Sequence, residues 1–181
     1  MARKSNQQQA AVLPEVVEGH EQVTVTDDQP VDHFAHIVRE GKAKKLSPKT
    51  ENHVFYQIAL NDAEAELHIR MSGNEGGGLH SKEWIPLKDI TAVLDVQGDK
   101  PFKSSVLKCV FSGQSANNAG FMAACCRGLG LIIQSEKSVF LHVLAPDYEQ
   151  RRDEILSLVD AETKAKYPPK KHIDSYPPSQ F

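Results

Sequence analysis

The glycine-rich stretch RMSGNEGGGLHSKEW is the part of the sequence that comes nearest to a catalytic motif. A phosphate-binding P-loop requires G-x-x-x-x-G followed by Lys and Ser or Thr, which bring backbone N–H groups, an ammonium and a hydroxyl to the phosphates and Mg²⁺. Gly73 and Gly78 have this spacing, but Leu79 and His80 occupy the next two positions. The three consecutive glycines, 76–78, therefore predict a loop with positive φ angles between two strands, without a nucleotide site.

Histidine and cysteine side chains offer two further chemistries. His33 and His36 could share one face of a helix, but a metal site needs a third or fourth ligand, and the sequence has neither CxxC nor HExxH. Cys125 and Cys126 precede the end of a predicted helix, where the dipole disfavours a thiolate, and Cys109 lies in an apolar run. We therefore predict no catalytic residue, no metal site and no cofactor, and we do not expect an enzyme.

Basic and aromatic side chains indicate a different activity. Single-stranded nucleic acid is bound by aromatic rings that stack on the bases and by lysines that follow the phosphates. Both residue types occur in the predicted strands and in the basic segment that precedes them. The candidate nucleic-acid-binding residues are Lys42, Lys44, Lys45, Lys49, Tyr56, Arg70, Lys82 and Trp84.

Part of this set lies in a segment, residues 53–94, that carries a family resemblance. The matching residues are Ile69-Arg70, Gly78 and the run WIPLKDI that begins at Trp84. With these residues the segment resembles the positive-cofactor family of small transcriptional coactivators, which bind single-stranded DNA. The resemblance implies a curved antiparallel sheet, a turn with glycine and then a helix. It also implies that Arg70, Lys82 and Trp84 meet the single strand.

The sequence leaves alternatives to this function. A helix at 116–128 followed by a hairpin at 131–144 has the order of a winged helix, but a recognition helix needs polar side chains facing the bases. Its polar residues are few, so we predict a buried packing helix. The main alternative is a protein–protein adaptor that uses a sheet edge or the two YPP elements of the C-terminal tail. DNA, RNA and protein partners are not distinguished, and the oligomeric state is open, a homodimer included.

These side chains must be positioned by an α+β domain with a mainly antiparallel sheet and three or four short helices. Strands are predicted at 53–62, 65–73, 79–85, 102–113 and 131–144, the last range forming a hairpin. Helices are predicted at 86–95, 116–128 and 147–166. A further short helix is expected to begin at Asp32, with Phe34, Ile37 and Val38 on one face, and to end at Gly41.

Composition and charge complete the sequence-based picture. The chain has 181 residues, 40% of them hydrophobic and 25% charged, which predicts one globular domain at 31–163. Residues 1–30 read as a flexible arm, and 164–181 read as an extended Pro-rich tail. Residues 50–99 carry three basic and nine acidic groups, so we do not expect a protein that coats duplex DNA. Unpaired cysteines and the lack of a signal peptide or long apolar run predict a cytoplasmic protein without membrane contact.

Overall fold

The computed structural model describes residues 31–160, and within them the fold is α+β. The two tails that the sequence predicts, 1–30 and 164–181, therefore lie outside the described residues, and so do the last positions, 161–166, of the helix predicted at 147–166. The described elements, in chain order, are β1 (His36–Lys44), β2 (His53–Asn61), β3 (Glu66–Asn74), β4 (Ile85–Pro86), α1 (Leu87–Asp95), β5 (Phe102–Lys103), a 3₁₀ helix (Ser104–Val110), α2 (Asn118–Gly128), β6 (Ile132–Ser135), β7 (Ser138–Leu144) and α3 (Tyr148–Leu156).

The strands form two antiparallel sheets. The first has four strands in the order β1-β2-β3-β4, and the second has three in the order β5-β7-β6. In the first sheet Gln57 pairs with Glu40 of β1 and Arg70 of β3, while Phe55 pairs with Lys42 and Gly73. This register determines which side chains share a face of the sheet.

Alternation along β2 and β3 divides the first sheet into an inner and an outer face. The inner face carries the buried apolar residues Val54, Tyr56, Ile58, Leu60, Leu67, Ile69 and Met71. Helix α2 lies against β1, β2, β6 and the 3₁₀ helix, so it joins the two sheets into one core. Its buried residues are small or flexible, Ala123, Ala124 and Met122 among them, which permits this close approach. The predicted packing role of this helix is consistent with its burial.

The predicted helix at Asp32 is wrong, because this segment forms a turn and then strand β1. Gly41 lies in the middle of β1 and does not end a helix. A Cβ at Gly41 would overlap the Tyr56 ring, so glycine is the residue that lets this ring cross the strand. Pairing with β2 along the whole length of β1 outweighs the local helical pattern.

Two predicted strands are also wrong in their extent. The range 79–85 is mostly an irregular segment, and only β4 at its end pairs with β3. The range 102–113 contains the two-residue strand β5 and then the 3₁₀ helix. Leu107 is the buried residue of that helix, and its half-buried neighbours Val106 and Val110 do not alternate with it as they would in a strand. The strands β2, β3, β6 and β7 and the helices α1, α2 and α3 are confirmed.

Candidate nucleic-acid interface

The glycine loop is built around a lysine ammonium and not around a phosphate. Gly76, Gly77 and Gly78 have φ angles of 69°, 77° and 108°, which only glycine adopts without strain. Lys45 Nζ donates to the Asn74 Oδ1 at 2.8 Å, to the Gly77 carbonyl at 3.1 Å and to the Glu75 carbonyl. The carbonyl groups therefore converge on a cation, which is opposite to the polarity of a phosphate loop.

The basic segment splits into residues with different roles. Lys45 uses all three of its donors on the loop, and its ammonium also lies 4.8 Å from the Phe121 ring centroid. Lys44 forms an exposed ion pair with Glu51 at 2.8 Å. Lys42 and Lys49 are exposed. The structure thus assigns Lys45 to the fold and leaves the other three lysines at the surface.

Trp84 and Arg70 lie together on the outer face of the four-stranded sheet. The Arg70 guanidinium carbon is 4.4 Å from the Trp84 ring centroid, and the Phe34 ring stacks on Trp84 with 4.8 Å between centroids. Arg70 also donates twice to Gln57 Oε1, at 2.9 and 2.7 Å, and Gln57 in turn donates to Glu40. The indole ring of Trp84 is therefore already engaged by two side chains of the protein.

Tyr56 is placed away from this face. Its side chain is only 6% exposed, and it packs on the inner face of the sheet against Gly41. Burial raises the pKa of its hydroxyl. No base can stack on a ring that lies within the core, so the structure does not bring Tyr56 together with the other candidate residues.

Phe55, the neighbour of Tyr56, is the aromatic residue that sequence reasoning missed. It is 36% exposed on the outer face, between its register partners Lys42 and Gly73. Gly73 has no side chain to cover the ring, and a Cβ there would lie 3.7 Å from Phe55 Cδ2. The signal was present in the sequence, because period-2 alternation places Val54, Tyr56 and Ile58 on one face and Phe55 on the other.

Lys82 lies on a fixed loop and not on a predicted strand. The carboxylate of the next residue, Glu83, accepts the backbone N–H groups of Ser112 and Gly113 at 3.0 Å each and the Ser81 hydroxyl. Hydrogen bonds from Ser81 and from the two backbone groups hold the pKa of Glu83 below its usual value. Asn118 at the start of α2 accepts the Ser81 N–H at 2.9 Å. Lys82 itself is exposed beside this network.

One serine–histidine contact resembles a catalytic dyad but has the wrong proton arrangement. His142 Nδ1 accepts from Arg127 Nε at 3.1 Å, so the neutral ring carries its proton on Nε2, which donates to Ser104 Oγ at 2.8 Å. A general base would need its lone pair at Nε2 to take the serine proton. Burial, reinforced by the Arg127 charge, lowers the pKa of His142 to about 4. The contact joins the 3₁₀ helix, β7 and α2 and does not activate the hydroxyl.

Thiol and metal chemistry find little support in the described residues. The thiols of Cys125 and Cys126 are buried, and burial raises the pKa of Cys126 to about 12. Within residues 31–160 no group of three or more His, Cys, Asp or Glu side chains is arranged to hold a metal ion. His33 Nδ1 instead contacts the Asp62 carboxylate at 2.8 Å.

Exposed apolar side chains also occur on the β6–β7 hairpin. Phe140 is 73% exposed, and Val139 and Ile133 are also exposed.

No helix in the part of the chain that the structure describes has the length and apolar character to cross a membrane. Compared with known proteins, the chain matches no protein-family model, and no curated protein or solved structure matches it significantly.

Proposed function

We propose that this protein binds single-stranded nucleic acid without catalysis, on the outer face of its four-stranded sheet. The observation that carries the proposal is Phe55, an aromatic ring exposed on a sheet face between a lysine and a glycine. Proteins that bind single strands use this combination of an aromatic platform and nearby cations. The adjoining Arg70–Trp84 pair is the part that the family resemblance implies.

Each component of this face has a physical role in the proposal. Stacking of any one of the bases on Phe55 contributes about 1–3 kcal/mol of binding free energy. Lys42, directly opposite Phe55 in the register, supplies a positive charge for the neighbouring phosphate. Trp84 and Arg70 form the border of the platform, held by Phe34 and Gln57. Unstacked bases are needed for such contacts, and this favours single strands over duplexes.

The experiment is a titration of labelled oligo-dT and oligo-rU with the parent protein and with Phe55→Leu, followed by fluorescence anisotropy at low salt. We expect Phe55→Leu to weaken binding by about fivefold or more, since stacking on the ring is lost. Phe140→Leu is the matched control, because it removes an even more exposed ring from the β6–β7 hairpin, which lies outside the proposed interface. Comparable affinity of the parent and both variants would contradict the sheet-face interface.

A protein–protein adaptor remains a second candidate, and the exposed apolar hairpin favours it. Ile133, Val139 and Phe140 are exposed apolar side chains of the β6–β7 hairpin, and β6 is an edge strand of the three-stranded sheet. Sheet edges and exposed apolar surfaces are common sites of protein association. Salt separates the two candidates: affinity for a nucleic acid falls steeply as salt rises, whereas an apolar contact changes little. The YPP elements lie outside the described residues.

The cytoplasm is the proposed compartment. All three cysteines are free thiols in the structure, and two of them are buried side by side in α2. Reduced thiols of this kind are usual where glutathione and thioredoxin keep cysteines unpaired.

A further inference from the structure

A groove beside the edge strand β1 has an unusual distribution of charge. It has a volume of about 440 Å³ and lies between the segment that follows β1 and the C-terminal end of α2. Three of its lining residues, Lys44, Lys45 and Arg127, are basic, and none is acidic. Val139 and Gln134 of the second hairpin close its far side.

Two of these cations are held by neutral groups alone. Lys45 contacts an amide oxygen, two backbone carbonyls and the face of Phe121. Arg127 donates Nε to His142 and Nη2 to the Leu141 carbonyl, at 3.1 and 3.5 Å. Among residues 31–160 no carboxylate forms an ion pair with either of them.

The arginines of α3 show the contrast. Arg151 pairs with Asp147 at 2.9 Å, and Arg152 pairs with Asp95 at 3.0 Å and with Asp153 at 2.9 Å. Arg127 is also less exposed than Arg151, and burial lowers the pKa of its guanidinium. Its neighbour His142 stays neutral and so neither shares nor cancels the charge. A desolvated cation without a carboxylate is destabilising by itself, and an anion in the groove would remove that penalty.

The guanidinium has a donor to offer such an anion. Nε and Nη2 are used within the fold, whereas Nη1 meets no acceptor among the described residues. Lys44 lines the same groove and is paired only with Glu51, across an exposed surface. Exposed pairs of this kind are weak, so the Lys44 ammonium can turn to another partner at little free-energy cost.

We propose that this groove binds a phosphate group, with Arg127 and Lys44 as its donors and Lys45 as a fixed positive charge behind them. The inference rests on the proposed function, because it places the phosphate next along the strand whose base stacks on Phe55. Lys42 lies opposite Phe55, and Lys44 follows two residues later on the same face, about 6.6 Å further along β1. Lys44 therefore belongs both to the face that carries Phe55 and to the lining of the groove at the edge of the sheet.

Contacts to phosphate give this site two measurable properties. Phosphate oxygens are the same at every nucleotide, so loss of the contact weakens binding equally for all sequences. Each contact to a single strand also contributes about −0.7 to the slope of log K against log salt concentration. A base contact such as Phe55 changes affinity without this change in slope.

The test measures the affinity of the full chain for oligo-dT and oligo-dC over a range of salt concentrations. We expect Arg127→Gln and Lys44→Gln each to weaken both oligonucleotides to the same extent and to reduce the slope by about 0.7. Lys44→Gln guards against a folding defect, because Lys44 is exposed and makes only a surface ion pair. Arg151→Gln is the matched control and should retain the parent slope, since Arg151 belongs to α3 and does not line the groove.

A second arm uses inorganic phosphate, observed by ³¹P NMR, to identify the source of the phosphate group. If the parent binds oligonucleotides and both groove variants keep the salt slope of the parent, the groove proposal is overturned and the sheet-face proposal stays intact. Failure of the parent to bind any oligonucleotide would overturn the proposed function. In that case inorganic phosphate decides whether the groove is a site. Binding of phosphate to the parent that Arg127→Gln abolishes would leave the groove as a site for free phosphate. Failure of the parent to bind phosphate, or equal binding by Arg127→Gln, would overturn the groove as well.

Discussion

At the scale of single residues, Lys45 shows how one cation replaces a ligand. The ammonium satisfies the Asn74 amide oxygen and the carbonyls of Glu75 and Gly77, so the positive-φ loop closes on a group of the protein itself. We expect Lys45→Met to lower the free energy of unfolding by about 1–2 kcal/mol, because charged hydrogen bonds are lost together. Urea unfolding measures this change.

The control for this prediction is Lys49→Met. Lys49 is exposed, and its ammonium makes no hydrogen bond to a described residue, so we expect a change within about 0.5 kcal/mol. Equal stability of the two variants would show that water replaces the ammonium in the loop without loss.

The sequence predicts residue type better than residue direction. It identifies Arg70 and Trp84, and the structure places these two in contact. It also proposes Tyr56, which the structure buries, and it passes over Phe55 next to it. Two adjacent aromatic residues on a strand must face opposite sides, but which side is the core depends on how the sheet packs against α2. That packing is a long-range property which no local pattern contains.

At the scale of elements, the approach of α2 to β1 is set by one glycine. A Cβ at Gly128 would lie 2.7 Å from the Ala43 Cβ, which is closer than side chains pack. Gly128→Ala should therefore push the helix end away from the strand and lower the free energy of unfolding by about 1–3 kcal/mol. Thermal or urea unfolding of the variant provides the measurement.

Gly120→Ala in the same helix should have the opposite effect. A Cβ at Gly120 meets no atom within 4 Å, so alanine there should raise stability by about 0.5–1 kcal/mol through its better helix propensity. A stabilising effect at both positions would mean that α2 is not held against β1 as the structure shows.

Element prediction succeeds where the local pattern agrees with the tertiary environment. The alternation in β3 and the apolar face of α1 are clear in the sequence and are confirmed. Strand β1 was missed because Gly41 is read locally as a helix stop, whereas its role is to admit the ring of Tyr56. The loop before β4 was missed because its order comes from Glu83 and Asn118, whose partners are about thirty residues away or more.

At the scale of the whole molecule, the response of stability to acid combines groups that act in different pH ranges. Hydrogen bonds lower the pKa of Glu75, mainly through His53, and the pKa of Glu83, mainly through Ser81. The contribution of these two carboxylates to folding stability is therefore lost as the pH falls below their usual pKa of about 4.5. His142 acts at higher pH. Its pKa falls from 6.5 to about 4 in the folded state, so the unfolded chain binds the extra proton between these values.

The last prediction follows from this separation. As the pH falls from 6.5 to 5, His142 takes up a proton in the unfolded state but not in the folded state, which lowers the free energy of unfolding. Each pH unit in this range corresponds to about 1.4 kcal/mol, so the loss due to His142 is on the order of 2 kcal/mol at pH 5. His142→Gln should lower stability at pH 7, because the contacts with Ser104 and Arg127 are disturbed, but its stability should fall less between pH 7 and pH 5. Urea unfolding of both proteins at these two pH values gives the difference of differences, in which the other titrating groups largely cancel. An equal fall in both proteins would show that His142 is protonated in the fold, and the Arg127 donor would then have to point elsewhere.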